Sequence, residues 1–344
     1  FECKAAEAPL RVLCLASQDT AIQGLNGIDP RAKQEYLKAG IDLSFNYYQK
    51  TSVEELKSFP VVIGMIPELH AGTKAIDEKL GAEIERYVSS GGGFLLIPGP
   101  SYYGVEDYVV QLNPWLKGFG AELLNELPLD SANQKEITRV VAYRYLKTSN
   151  IAKSPATEGI PFVWLPLDFT YADIKTHTMK VSDDWTVLIK GEASCSSHPF
   201  KAISHGDLAT KGFYASEPPF LATRSWGKGR FGIFSTASGC MVYDAWHWAY
   251  GDGFCMEQGN CLKLMAQLLR HLGENWKGTP LANASSEGKT QVRNEGAEAP
   301  WPDKKLWLAH ILEKLEPKGF DVKAYVDCGA LSDIPYSQER GFGY

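Results

Sequence analysis

Hydrophobic positions in the amino-terminal third of the chain come in short bursts, each closed by a polar or glycine-bearing turn. The run FLLI at 94–97 has no polar alternation, as expected of a strand covered on both faces, and RVLCLAS at 11–17 and VVIGMI at 61–66 are built alike. A further strand is predicted over 41–48. Between these runs the period changes. Pro30 near the start and Gly40 at the stop frame a helix over 30–39. Ser52, three residues before Glu55, is a capping-box pattern opening a short helix. Ile84, Tyr87 and Val88 recur at helical spacing over 82–89, and Gly91, Gly92 and Gly93 end that helix. Strands alternating with helices imply right-handed crossovers and a parallel sheet. Its strand ends deliver Gln18-Asp19, Glu68-Leu69-His70 and Pro100-Ser101-Tyr102 to one edge, where open α/β sheets bind ligands.

Further along, 112–120 predicts a helix with 121–127 as its exit. Periodicity is poor and proline frequent over 134–220, with short strands at 137–145 and 185–190, the pattern of a β-rich insertion. Two runs at 220–226 and 230–235 flank Gly227-Lys228-Gly229 as a hairpin, from whose turn Arg230 leaves as a charged residue. Leu262, Met265, Leu269 and Leu272 mark one face of a helix over 261–272. Residues 276–300 have the composition of a linker, and Leu308, Ile311, Leu312 and Leu315 mark a helix before a strand at 320–326. The predicted organisation is an α/β domain over 10–275, a flavodoxin-like parallel sheet flanked by helices with a β-rich insertion at about 134–220. A linker comes next, then a helix–strand extension over 301–344 that reads as the start of a further domain.

A net charge of −6 without any Lys/Arg stripe excludes a nucleic-acid footprint, and no apolar run reaches the length of a membrane span. At 44% hydrophobic residues the 344-residue chain has ample material for a core. None of the seven cysteines, at 3, 14, 195, 240, 255, 261 and 328, forms a Cys-x-x-Cys pair, so no zinc or thioredoxin-type site is expected. Cys255 and Cys261 are read either as a local disulfide or as buried thiols. The opening FECKAAEAPLR resembles the residues just past a small-residue signal-peptidase site, which predicts a secreted or periplasmic protein; without such a leader the reading is cytoplasmic. Asn283-Ala284-Ser285 is a glycosylation triplet at chance frequency.

Four fragments carry a resemblance: VVIGMIPELHAG at 61–72, EIERYVSSGGGFLLIPG at 83–99, LNPWLKGFGAEL at 112–123 and FLATRSWGKGRFGIFSTASG at 220–239. Together they resemble the class I glutamine amidotransferase-like superfamily over roughly 10–275, above all its trehalose-utilisation-type and β-galactosidase trimerisation-type branches. Active amidotransferases carry a cysteine in a Gly-x-Cys-x-Gly elbow after the strand matched by 94–97, and a His-x-Glu pair after a late strand. Here the elbow reads Gly99-Pro100-Ser101-Tyr102-Tyr103, and the late strand runs into Ser235-Thr236-Ala237-Ser238. The thiolate–imidazole pair is missing at both positions, so no glutaminase activity is expected.

The residues that stand at those positions have two readings each. Ser101 is a substitute nucleophile with His70 as its partner, or a cap for the next segment. Glu68 and His70 are an acid/base pair, two metal ligands with Asp19 as a third, or solvated loop residues; solvation is the expectation, and neither metal nor cofactor is predicted. Residues 243–254 interleave aromatic rings with Asp244, His247 and Asp252, which suits a sugar-stacking platform, a filling between the late strand and the final helix, or a subunit contact. The candidate ligand-binding set is Asp19, Glu68, His70, Ser101, Tyr102, Tyr103, Tyr243, Asp244, Trp246 and His247. The predicted function is a non-catalytic domain for ligand binding or assembly linked to carbohydrate metabolism, with a carbohydrate ligand and a homo-oligomer or larger assembly as partners. The alternative is a hydrolase of a carbohydrate or related ester at the same crevice.

Overall fold

The expected alternation of strand and helix is realised in β1 Leu10–Ala16, α1 Pro30–Lys38, β2 Ile41–Tyr47, α2 Val53–Lys57, β3 Val61–Ile66, α3 Glu78–Ser89 and β4 Gly93–Pro98. Next come α4 Asn113–Leu116, β5 Ala121–Leu124, β6 Glu126–Leu129, β7 Gln134–Thr138, β8 Ala142–Thr148, β9 Val163–Phe169, β10 Thr178–Val181, β11 Thr186–Lys190 and β12 Ser196–Pro199. The last elements are β13 Pro219–Trp226, β14 Gly229–Phe234 and α5 Cys261–Gly273. The computed structural model describes residues 8–16, 28, 30–47, 51–66, 78–98, 112–138, 142–169, 176–199, 209–235 and 258–278. They all belong to one unit.

Seven strands form the main sheet in the order β11-β13-β14-β4-β3-β1-β2. From β14 to β2 every neighbouring pair is parallel, whereas β13 and β11 run antiparallel at the edge. The chain therefore leaves β1 in one direction to β2 and returns past it to β3, the flavodoxin-like order with its switch point between β1 and β3.

Local chemistry accounts for the helix ends. Ser52 Oγ accepts from the Glu55 amide at 3.1 Å, as the capping pattern requires, but the Glu55 carboxylate turns to Asn46 Nδ2 at 3.0 Å instead of closing the box. One face of the sheet buries Leu13, Leu15, Val62, Phe94, Leu96, Phe231 and Ile233 against Ile84, Tyr87 and Val88 of α3. Phe231 is the hub of that layer, stacked on Phe119 at 4.4 Å and on Phe94 at 5.4 Å. Removing such a ring from a packed core costs about 3–5 kcal/mol. Helix α5 lies on the other face, where its Leu272 packs against Gly93 and Gly232.

The two most recognisable glycine fragments, YVSSGGG and GKGR, touch each other. Lys228 N donates to Ser89 O at 3.0 Å and Arg230 N to Gly92 O at 3.3 Å, pinning the β13–β14 turn to the end of α3. Gly227 supplies the positive φ, +59°, that the turn needs. Gly229 has another reason to be glycine: a Cβ there would lie 2.2 Å from Gly92 O and 2.3 Å from Val88 O. Arg230 does more than leave a turn. Its guanidinium donates to the His271 carbonyl and, at 2.8 Å, to Glu274 Oε2, satisfying the carboxyl-terminal turn of α5.

Several expectations need correction. The predicted helix over 112–120 is one short turn followed by a 3-10 turn, stopped by Gly120 at φ +68°, because Asn113 uses both ends of its amide on Leu123 and draws the chain back. Its exit at 121–127 is strand, β5 paired with β10 and the start of β6 paired with β12. The predicted strand over 137–145 is a β7–β8 hairpin, extended by β9. The insertion contributes to the main sheet, where β11 pairs with β13 and buries Leu188 and Ile189. In α5 the buried face carries Leu264 and Leu268 with Met265, Leu269 and Leu272, while Leu262 is half-buried. Cys261 is a free thiol whose Sγ–H donates to Trp164 O at 3.0 Å, so the local disulfide is not formed. The linker over 276–300, beyond residue 278, and the extension over 301–344 lie outside the described residues.

Gly229→Ala is expected to cost about 2–3 kcal/mol, because two backbone carbonyls cannot move aside without breaking the contact. Lys228→Ala, at the exposed tip of the same turn, is expected to cost less than about 0.5 kcal/mol. Urea midpoints of the two variants measure the difference, and equal midpoints would disprove the close-approach account.

Candidate functional site at the strand carboxyl ends

Strands β1, β3, β4 and β14 lie side by side and parallel, so their carboxyl ends, Ala16, Ile66, Pro98 and Phe234, share one edge of the sheet. Neighbouring strands are about 4.8 Å apart, which puts four consecutive strand ends within the span of one small ligand. In sequence Asp19 follows β1, Glu68 and His70 follow β3, Ser101, Tyr102 and Tyr103 follow β4, and Tyr243, Asp244, Trp246 and His247 follow β14. All ten lie outside the described residues. The fold brings together the set of strands that lead to them, with the switch point between the two that lead to Asp19 and to Glu68 and His70.

Ser235 closes β14, the strand after which the resemblance would place a catalytic histidine and glutamate. It is completely buried. Its hydroxyl proton is shared between His177 O at 2.8 Å and the more distant Phe220 O at 3.2 Å, its amide donates to Phe220 O at 2.8 Å, and its carbonyl accepts from His177 N at 2.9 Å. A hydroxyl committed to main-chain carbonyls in this way locks the strand end and has no proton chemistry to offer. The same contacts carry His177, 3% exposed, to the end of β14 from a segment 58 residues earlier. Sequence reasoning missed His177, since no linear spacing relates it to that strand.

None of the described cysteines has the environment of a nucleophile. Burial, then the negative charges of Asp130 and Glu192, push the Cys195 thiol up to about 12. A thiol so placed stays protonated and inert at neutral pH. Glu192 itself is held below the usual carboxylate range, first by the Ser149 amide that donates to it. Cys14 and Cys261 are buried. Among the described residues no group of three or more His, Cys, Asp or Glu side chains is arranged to hold a metal. A cavity of about 840 Å³ is lined by residues between Ile151 and Pro161, none of them a candidate ligand-binding residue.

No protein-family model matches the chain, and no curated protein matches it. Among solved structures it is similar to the mmIFT52 N-terminal domain, with 13% identity over 76% of this chain and 96% of that one, TM-score 0.48. It is also similar to a ThuA-like protein from Bacteroides uniformis, with 16% identity over 81% of this chain and 98% of that one, TM-score 0.42. A β-galactosidase from Bacillus circulans is similar at 12% identity over 81% of this chain, TM-score 0.37, and the match spans 33% of that enzyme's length. Likeness of this degree assigns no activity. No helix among the described residues is long and apolar enough to cross a membrane.

Because the folded-state pKa of Cys195 is raised, the protonated thiol stabilises the fold fully below its ordinary value near 9, and that contribution fades as pH climbs towards about 12. Iodoacetamide at pH 8 is expected to leave Cys195 unmodified in the folded protein and to alkylate it in urea, read by peptide mass spectrometry. Alkylation of Cys195 in the folded protein would overturn the assignment of an inert thiol.

Proposed function

We propose that the chain is a non-catalytic amidotransferase-like domain, whose strand-end crevice binds a ligand or anchors an assembly, with carbohydrate as the ligand class. The observation that carries this reading is Ser235. Where acid–base machinery would stand at the end of β14, a buried hydroxyl is spent on two main-chain carbonyls. The scaffold is retained while the chemistry at this position is replaced by a structural lock. Carbohydrate as the ligand rests on composition: residues 243–254, entered from the end of β14, offer rings for the C–H faces of a sugar and Asp244, His247 and Asp252 for its hydroxyls.

A hydrolase at the same crevice is the second reading, and the observation in its favour is His177. This buried imidazole residue stands at the end of β14, the strand beside the one that leads to Ser101. Ester turnover abolished by Ser101→Ala and by His177→Gln would decide for it.

Under the first reading, glutamine incubated with the purified protein releases ammonia no faster than glutamine alone. A glycan screen yields a ligand whose affinity falls about tenfold in Trp246→Ala or Tyr102→Ala, the scale of one lost ring contact. Glutamine-dependent ammonia release, or glycan affinities untouched by both substitutions, would refute it.

A further inference from the structure

Strand β12 carries a serine and a histidine two positions apart, so Ser196 and His198 share one face, while Ser197 faces the other way. Ser197 Oγ donates to Glu126 Oε2 at 2.6 Å. On the first face, Ser196 Oγ lies 3.0 Å from His198 Nε2, and His198 Nδ1 lies 2.9 Å from the Thr210 carbonyl oxygen. A carbonyl only accepts, so Nδ1 carries the proton and Nε2 presents its lone pair to Ser196. Lys211 Nζ completes the group, 2.9 Å from Ser196 Oγ and 3.3 Å from His198 Nε2. An ammonium only donates, so Lys211 gives a proton to Oγ, the shorter contact, or to Nε2; with Lys211 on Oγ, the hydroxyl proton is directed at Nε2.

The arrangement is fixed by backbone. Gly212 N donates to Ser197 O at 2.7 Å and Ser197 N to Tyr214 O at 2.9 Å, which ties the segment bearing Lys211 to β12. Glu126 accepts the Phe213 amide at 2.9 Å with either oxygen, so its charge is engaged on the far side of the strand. Among the described residues no carboxylate pairs with Lys211. Ser196 and His198 are 5% and 2% exposed, and Lys211, whose ammonium reaches both of them, is exposed over its length. Two residues on, Phe213 is 59% exposed, with its ring 4.9 Å from that of Tyr214 and the Lys180 ammonium 3.8 Å from its centroid.

We propose that Ser196, His198 and Lys211 form a second, hydrolytic centre for carboxylic esters, independent of the strand-end crevice. Nucleophile, base, orienting acceptor and cationic donor stand in the relation that acyl transfer needs. Ser196 Oγ attacks the ester carbonyl carbon while His198 Nε2 takes its proton, and the charge that develops on the carbonyl oxygen is met by Lys211 Nζ. The ester C–O bond then breaks, and the proton passes from Nε2 to the departing alkoxide. Water attacks the acyl carbon, giving a proton to Nε2, and Ser196 leaves with that proton restored. The sum is ester plus water to acid plus alcohol.

The test is covalent labelling of the full chain with a fluorophosphonate, in which Oγ bonds to phosphorus and fluoride leaves. The expected adduct is on Ser196, found by peptide mass spectrometry in native protein and lost after unfolding in urea. Hydrolysis of 4-nitrophenyl acetate is expected to fall at least 100-fold in Ser196→Ala and in His198→Gln, and 10- to 1,000-fold in Lys211→Met. Labelling of the native protein needs no variant, so a substitution that fails to fold leaves the test intact. No adduct on Ser196, an adduct on Ser101 in its place, or turnover unchanged in Ser196→Ala overturns the proposal. Because the readout maps to β12, its failure is separate from failure of glycan binding at the strand ends.

Discussion

The amides of Lys228 and Arg230 bond to the carbonyls of Ser89 and Gly92, and Gly229 lets the two backbones approach without a side chain between them. The rest of the sheet depends on this contact. It seats the start of β14 beside the start of β4, with Arg230 opposite Gly93, and from that pairing the parallel register of Phe231 with Phe94 and Ile233 with Leu96 follows. Phe231 then becomes the hub of the aromatic layer, and Arg230 reaches across to satisfy the end of α5. A glycine pair with no chemistry of its own therefore determines where the carboxyl end of β14 emerges relative to the other strand ends.

That placement separates scaffold from reaction. The edge where β1, β3, β4 and β14 end is the part of an α/β sheet that collects functional residues. Here its β14 position is closed by Ser235, bonded to carbonyls of Phe220 and His177. The serine, histidine and lysine that do stand in mutual hydrogen-bond reach lie elsewhere, on β12 and the segment docked against it. The insertion is thus more than an ornament on the sheet: it contributes β11 to the sheet edge, carries His177 to the end of β14, and builds the polar cluster on β12.

Burial and charge decide which polar groups remain usable. Cys195 is buried near Asp130 and Glu192, and both burial and their charge favour its neutral form. Lys211 is arranged in the opposite way, an ammonium held by neutral partners with no described carboxylate beside it. Thiol chemistry is suppressed at Cys195, while the Lys211 ammonium faces a hydroxyl and an imidazole.

Short-range order was legible in the sequence because it has short-range causes. Apolar runs gave strands whose Val12, Leu13, Val62, Ile63, Phe94 and Leu96 are buried, the Ser52 cap lies three residues from the amide it serves, and Ile84, Tyr87 and Val88 could face a core only as a helix. Tertiary structure alone decided the meetings across long separations. Asn113 drawing 112–120 out of a helix, β11 joining the main sheet, Gly229 against Gly92, His177 beside Ser235, and Lys211 aimed at Ser196 and His198 all depend on which segments pack together. Periodicity records how a residue faces its own element; only packing of one element on another determines what that face meets.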